Sequence, residues 1–284
     1  MRIFLTGRSG QVSSALRPLL APLGELATSD QADLDLQDPR AIADRVERER
    51  PEIIVNGAAY TAVDRAESER EVAFAINAAA PAALAAAAKK CDALLVHFST
   101  DYVYDGEKQG RYVETDPANP ASVYGHSKQE GDRLVAASGC RHFIFRTSWV
   151  YSPGGRNFLL AILAAARSKP ELRVVADQRG APTSSAAIAA AVARILGDAA
   201  LRSKPSGVYH LTAAGETTWH GFASAIMESA GLKTPVIPIG SDEYPVAAKR
   251  PKNSLLDNGK AARTFGVALA DWREGLRAVM QAMH

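Results

Sequence analysis

Three side chains near the middle of the sequence have the types and spacing to move a proton. Thr100 closes the run Leu94-Leu95-Val96-His97-Phe98-Ser99, and Tyr124 and Lys128 stand four residues apart in V-Y-G-H-S-K. At that spacing a phenol and an ammonium share one helix face, a turn apart. An ammonium within about 4–6 Å of a phenol favours phenolate and lowers its pKa from about 10. The pair therefore reads as an acid of adjustable strength, and the Thr100 hydroxyl as a hydrogen bond for a substrate oxygen. Tyr-x-x-x-Lys alone is a weak signal. It recurs at Tyr104 and Lys108, but that copy spans Asp105-Gly106, a turn signal. The Tyr124 copy follows Asn119-Pro120 and continues into Gln129, Glu130, Leu134 and Val135, which suits a helix. Thr100, Tyr124 and Lys128 are the expected catalytic group.

The elements that must position this group follow from the pattern around it. Leu94 to Val96 reads as a parallel strand buried on both faces, delivering Ser99, Thr100 and Asp101 to its carboxyl end. That is where open α/β sheets bind ligands. Residues 1–6 form a first strand, followed by Gly7-Arg8-Ser9-Gly10-Gln11-Val12-Ser13 and a helix through about Leu20. Strand, glycine turn and helix make a dinucleotide-binding opening, with backbone N–H groups aimed at a pyrophosphate. Ser13 stands where a third glycine would complete the turn, and no Gly-Lys-Ser/Thr follows, so it is not a P-loop. A short second strand ends at Asp30, an acid placed for a ribose hydroxyl pair. Asp38 and Pro39 open the next helix as N-cap and first residue. A third strand, 51–56, runs into the small-residue loop Gly57-Ala58-Ala59-Tyr60-Thr61, and an alanine-rich helical region covers 68–90 with a break near Pro81. A fifth strand, 142–147, ends at Ser148-Trp149.

Five strands alternating with helices predict an α/β fold, a Rossmann-type doubly wound parallel sheet with a smaller C-terminal substrate-binding lobe. The expected division is 1–150 plus about 184–211 for the dinucleotide-binding domain, and about 151–183 with 212–284 for the lobe. The 284 residues are 47% hydrophobic, ample for such a core, and the net charge of +2 with dispersed basic residues gives no footprint for nucleic acid or an anionic membrane. The most apolar long segment, 72–88, carries Asn77 and Pro81 and reads as a core helix, not a span. Cys91 and Cys140 have no metal-ligand spacing; reduced thiols and the lack of a secretory h-region after Arg2 point to the cytoplasm.

The glycine turn, Ser99-Thr100-Asp101 and the Tyr124–Lys128 pair together resemble the extended short-chain dehydrogenases that act on nucleotide sugars. The likeness runs nearly end to end, through 55–67 (V-N-G-A-A-Y-T-A-V-D-R-A-E), 97–106 (H-F-S-T-D-Y-V-Y-D-G), 123–128, 145–151 (F-R-T-S-W-V-Y), 177–183 (D-Q-R-G-A-P-T) and 250–257 (R-P-K-N-S-L-L-D). It is strongest for the branch that reduces the 4-keto group of dTDP-4-dehydro-L-rhamnose. The resemblance implies a nicotinamide dinucleotide held by Gly7, Gly10, Gln11, Val12, Asp30, Asp35, Leu36, Ala59, Tyr60, Thr61, Tyr124 and Lys128. Arg8 in the glycine turn is placed to meet a 2′-phosphate that Asp30 would repel, so both NADPH and NADH are expected, with NADPH modestly favoured. It implies a dTDP-sugar meeting Thr100, Asp101 and Trp149, with Arg250 offered to a diphosphate or to a surface ion pair. Family members can carry a divalent metal such as Mg2+ on acidic side chains at a dimer contact. Here the first helix offers Ser14-Ala15 and the 184–196 helix has no carboxylate, so no metal ligands are assigned and homodimer or monomer stays open. Two rival functions share the fold. A dehydratase or epimerase would share the Tyr–Lys pair, but dehydratases of this type place Asp-Glu after the threonine, and here Tyr102 follows Asp101; a non-catalytic dinucleotide-binding regulatory subunit would not need the intact Thr, Tyr and Lys.

Overall fold

The protein is described from a computed structural model over residues 1–283. Its first half alternates strand and helix: β1 (Arg2–Thr6), α1 (Gln11–Leu20), β2 (Glu25–Thr28), α2 (Pro39–Glu49), β3 (Ile53–Asn56), α3 (Val63–Ala66), α4 (Arg70–Phe74), α5 (Ala80–Lys90), β4 (Leu94–Thr100), α6 (Val123–Ala137) and β5 (Arg141–Thr147). The second half carries β6 (Val150–Tyr151), α7 (Phe158–Ala166), β7 (Leu172–Val175), β8 (Arg179–Gly180), β9 (Thr183–Ser184), α8 (Ser185–Gly197), α9 (Ala199–Arg202) and β10 (Gly207–His210). It ends with β11 (Thr217–Thr218), α10 (Trp219–Ser229), β12 (Val236–Ile239), α11 (Gly259–Phe265) and α12 (Trp272–Ala282).

Six strands form one parallel sheet in the order β10-β5-β4-β3-β1-β2. Successive side chains of a strand point to opposite faces. Ile3, Leu5, Val55, Val96, Phe143 and Phe145 accordingly pack with α1 and α8 on one side. Phe4, Ile54, Leu95 and Ile144 pack with α2 and α5 on the other. Covering both faces is what makes these strands uniformly apolar. The chain reverses direction of winding between β1 and β3, so a crevice opens beyond their carboxyl ends, level with Thr100 on β4.

A second core joins Tyr151, Leu159, Ile162, Phe222, Trp272 and Leu276, from α7, α10, α12 and the short strands around them. Ala261, Phe265 and Val267 lie with the sheet core instead, although they fall in the stretch expected to belong to the lobe. Phe265 is drawn there by Phe143 and Tyr209, whose rings lie 5.0 and 4.7 Å from its own.

The alanine-rich region is interrupted just before Pro81, near the expected place. A π-helical turn occupies Ala75–Ala79, and Pro81 follows it after Ala80, within a helical run that continues from Arg70 to Lys90. The extra residue of the π turn serves Asn77, which is buried and bonds Tyr60 and Ser127. By length and composition the run Arg70–Lys90 would suffice to cross a membrane; here 50% of its apolar window is buried, with α5 packed beside α2 and α6.

Candidate active site

The cofactor end of the crevice is built by β1, the glycine turn and the loop after β3. Gly7 has φ 64°, and a Cβ there would lie 2.8 Å from the Ala58 backbone, so both conformation and space require glycine. Gly10 donates its N–H to Gly7 O at 2.9 Å and caps α1, leaving the following amides directed outward at the helix start. Ser13, the departure in the turn, is fully buried and donates to Thr6 O at 3.1 Å. Its hydroxyl fits because Gly57 faces it: a Cβ on Gly57 would come 2.0 Å from Ser13 Oγ. The missing glycine of the turn is thus matched by a glycine on the neighbouring strand's loop. Gln11 accepts hydrogen bonds from Ser152 and Asn157 at 2.8 and 3.0 Å, tying the start of α1 to the lobe, while Val12 packs on the sheet core.

Asp30 receives the Ser9 N–H at 3.2 Å, and its hydrogen bonding with Ser9 holds its carboxyl below the ordinary range. Arg8 reaches Asp33 at 2.9 Å and lies 4.0 Å from Asp30. Asp35 caps its own turn through the Gln37 N–H, and Leu36 packs on the α2 side of the sheet. Ala59 and Thr61 are exposed, and Tyr60 between them is fixed by its N–H to Asn77 Oδ1 at 2.9 Å.

At the centre, Thr100 caps the short turn Asp101–Val103, accepting from Tyr102 N–H at 3.2 Å and donating to Asp101 Oδ1 at 3.1 Å. Asp101 is buried, which pushes its carboxyl up to about 6 despite hydrogen bonds from Ser254 and Thr100. Ser122 caps α6, whose first turns bury Tyr124 and Lys128 against that strand end. The Lys128 ammonium donates to Phe98 O at 2.7 Å and lies 3.4 Å from His97 Nε2.

Burial dominates both groups. It raises the Tyr124 phenol above the ordinary tyrosine value, opposed by hydrogen bonding from Thr100, with the Asp101 and Asp132 charges adding to the rise. It lowers Lys128 to about 8, partly offset by Asp132. The expectation that Lys128 holds Tyr124 low is therefore reversed in the protein alone. Desolvation penalises phenolate and ammonium alike, and Lys128 is not among the groups that shift Tyr124. Near neutral pH the phenol keeps its proton and the lysine its charge.

The second Tyr-x-x-x-Lys copy is not a site. Tyr104 is buried, taking a hydrogen bond from Arg146 at 2.8 Å and meeting His210 at 2.9 Å, while Lys108 pairs with Asp116 near the surface.

On the substrate side Trp149 adopts φ 49°, unusual for a bulky residue. Its ring stacks on Trp219 at 3.6 Å and 10°, and its other side lies against Gly180, where a Cβ would be 2.4 Å away. Both indoles are half-buried. Arg250 pairs with Asp64 at 2.6 Å and covers Tyr102, yet its Nη1 is buried without a partner among the described residues. It forms the ion pair and keeps one donor free. Sequence reasoning missed Trp219, Ser254 and the buried His97 and Asp132. Only Trp219, opening a helix after two threonines, carried any local signal. The residues at the expected metal position do not fit a cation: Ser14 turns its hydroxyl to Arg8 O, and α8 has no acid.

A parallel sheet with a reversal at its first strand, a glycine turn there and a buried Tyr–Lys pair on α6 define a short-chain dehydrogenase type of Rossmann protein. More narrowly, the chain belongs to the family described as the RmlD substrate binding domain, which matches residues 1–284. It is 45% identical to a dTDP-4-dehydrorhamnose reductase of Burkholderia thailandensis, over 96% of each chain. It is 39% identical to the enzyme of that name from Escherichia coli, over 100% of this chain and 98% of the other. Among solved structures, the dTDP-4-dehydrorhamnose reductase of Bacillus anthracis in complex with NADP aligns with a TM-score of 0.93 at 34% identity, covering 99% of both chains.

Proposed function

We propose that the protein reduces the 4-keto group of dTDP-4-dehydro-L-rhamnose to dTDP-L-rhamnose, using NADPH in preference to NADH. The observation that carries this reading is the buried Tyr124–Lys128 pair at the end of β4, beside Thr100 and on the same edge of the sheet as the glycine turn, two strands away. Gly7, Gly10, Gln11, Val12, Asp30, Asp35, Leu36 and the 59–61 loop would hold the dinucleotide, which when bound supplies a hydride to the ketone carbon. The chain's own residues then handle the oxygen. Thr100 donates a hydrogen bond to the carbonyl, and Tyr124 gives its proton to the alkoxide as charge develops. Lys128 stabilises the phenolate left behind and offers its remaining N–H to the cofactor ribose. Asp101 accepts from a sugar hydroxyl, Trp149 provides a flat face for the ring, and the free Nη1 of Arg250 is offered to the diphosphate. The cofactor preference rests on Arg8, a cation beside the end of β2 whose exposed guanidinium would turn from Asp33 and Asp30 to a 2′-phosphate.

The dinucleotide-binding domain is 1–150 with 184–211, and the rest forms the lobe over the crevice, apart from 259–267, which returns to the sheet core. The test is turnover of dTDP-4-dehydro-L-rhamnose with each cofactor. Reduction to the 6-deoxy alcohol is expected, with modestly higher kcat/KM for NADPH. Water loss or epimerisation would instead identify a dehydratase or epimerase, binding without turnover a regulatory subunit, and equal or better efficiency with NADH would remove the preference.

A further inference from the structure

Lys128 and Asp132 are one helical turn apart on α6, both buried and of opposite charge. That spacing ordinarily gives an ion pair, and in a dry interior the attraction is stronger. Among the described residues, however, they are not within ion-pair distance. Asp132 gives Oδ2 to Arg146 Nε at 3.0 Å and to the Ser99 hydroxyl at 2.9 Å, and its Oδ1 is buried without a hydrogen bond. Lys128 turns instead to Phe98 O. Between them stands His97, with Nε2 3.4 Å from Lys128 Nζ and 3.9 Å from Asp132 Oδ1. Its ring is fixed from behind by Asn56 at 3.0 Å, and Asn56 in turn by the Thr6 hydroxyl at 2.8 Å.

We propose that His97 is a positioning residue: an uncharged imidazole wedged between Lys128 and Asp132, which keeps the ammonium from collapsing onto the carboxylate and directs it toward Tyr124 and the ribose. Resting on the assignment of Lys128 above, it adds the means by which that charge is aimed. Burial and the neighbouring Lys128 charge hold His97 far below its ordinary pKa, so it stays neutral through the working range. Asn56 presents its amide nitrogen to Nδ1 and its oxygen to the Thr6 hydroxyl. The ring accepts from the ammonium at Nε2 in the tautomer with the proton on Nδ1, for which the Asn56 amide turns over and offers Nδ1 its oxygen. The ionisable groups around Lys128 are Tyr124 and Asp132 on α6, His97 on β4, Arg146 and His142 on β5, and Asp101 beyond β4. Of these Asp132 is the one that favours the ammonium, and it is held off.

The experiment is a single-turnover pH–rate profile, in the reductive direction, of His97→Ala, His97→Gln, Asp132→Asn, Lys128→Met and the doubles of His97→Ala with the last two. For His97→Ala the expected result is a plateau lowered about tenfold or more and an alkaline limb moved up by about one pH unit, since an ion-paired ammonium is less acidic. His97→Gln, whose amide oxygen replaces Nε2 as acceptor, should retain the parental limb. Adding Asp132→Asn to His97→Ala should bring the limb back, and in the Lys128→Met background His97→Ala should do nothing further. Asp132→Asn alone should keep its plateau and move the limb slightly down, a result that remains informative if the alanine variant does not fold. The proposal is overturned if His97→Ala slows the reaction equally at every pH. It is also overturned if that loss persists in Lys128→Met, or if Asp132→Asn alone loses as much rate as Lys128→Met does. A Lys128→Met protein of parental activity would remove the underlying assignment, and the inference with it.

Discussion

Replacing Lys128 by Met should erase the alkaline limb of the reduction, because the limb belongs to the lysine and not to the tyrosine. Burial moves Lys128 from 10.5 to about 8 and moves Tyr124 the other way, above any ordinary tyrosine. With a pKa of about 8 the ammonium is about nine-tenths present at pH 7 and about one-tenth at pH 9, so the rate should fall close to tenfold for each unit beyond. Lys128→Met has no charge to lose. Its rate should be about 10²-fold lower at pH 7, and level from there until the phenol itself titrates at much higher pH. The assay is single-turnover oxidation of NADPH in the presence of excess ketone, which keeps product release from masking the chemical step. A limb that survives near pH 8 in Lys128→Met would assign it to another group and refute the reasoning.

The same shifts predict stability. Unfolded Lys128 holds its proton to higher pH than the folded residue, so the fold carries a penalty below about 8 that disappears as the pH approaches 10.5. Lys128→Met should thus stabilise the protein at pH 7 by up to about 3 kcal/mol in denaturant titrations. Folded Asp101 binds its proton more tightly than the unfolded residue, so its penalty is complete above about 6 and fades toward 3.8. Asp101→Asn should stabilise at neutral pH by about 1–3 kcal/mol while raising the sugar-nucleotide KM. Tyr124→Phe should lose about 10²-fold or more in rate with near-parental NADPH affinity. Tyr104→Phe should keep the chemistry but lose about 1–3 kcal/mol of stability, since Arg146 and His210 lose a buried partner. Gly57→Ala should weaken NADPH binding by forcing a Cβ against Ser13 Oγ, and Ser13→Gly in that background should recover much of it. A double variant as weak as Gly57→Ala would show that the two positions do not compensate.

The six-stranded sheet was legible because it is buried on both faces: uninterrupted runs such as Ile53-Ile54-Val55 leave few alternatives to a parallel strand covered by helices. That the three proposed catalytic residues come together was legible for a different reason, since Tyr124 and Lys128 are neighbours through local helix geometry and Thr100 ends its own strand. Residues that meet only through tertiary structure left no such trace. His97 looked like one polar residue in an apolar strand, and its relation to Asn56 on β3 and Lys128 on α6 depends on strand order and helix rotation. Ser13 read as a weakened turn because the compensating Gly57 lies on another element. The interruption near Pro81 was legible, but its form as a π turn was not, for a similar reason. Proline is a visible break in a helix, whereas the bonds of Asn77 to Tyr60 and Ser127 become visible only once the loop after β3 and α6 are side by side.

The positions with the most chemistry are also those least favourable to folding. Lys128 is an ammonium in a dry core, Asp101 a buried carboxyl with one oxygen unpartnered, and Trp149 a bulky residue at positive φ. Each would be improved for stability by an ordinary substitution, and each sits at the carboxyl end of the sheet facing the same crevice. The strain at Trp149 is sustained by stacking on Trp219 and by the bare face of Gly180, so it is distributed over β5, β8 and α10 rather than held by one neighbour. The buried charges are sustained in the same way, through Phe98 O, His97, Arg146 and Ser254 on separate elements. A site assembled like this holds its groups desolvated before any substrate arrives. Burial keeps the phenol protonated, as the proposed proton delivery to an alkoxide requires, and weakens the ammonium only to about 8, so that it is still charged near neutral pH.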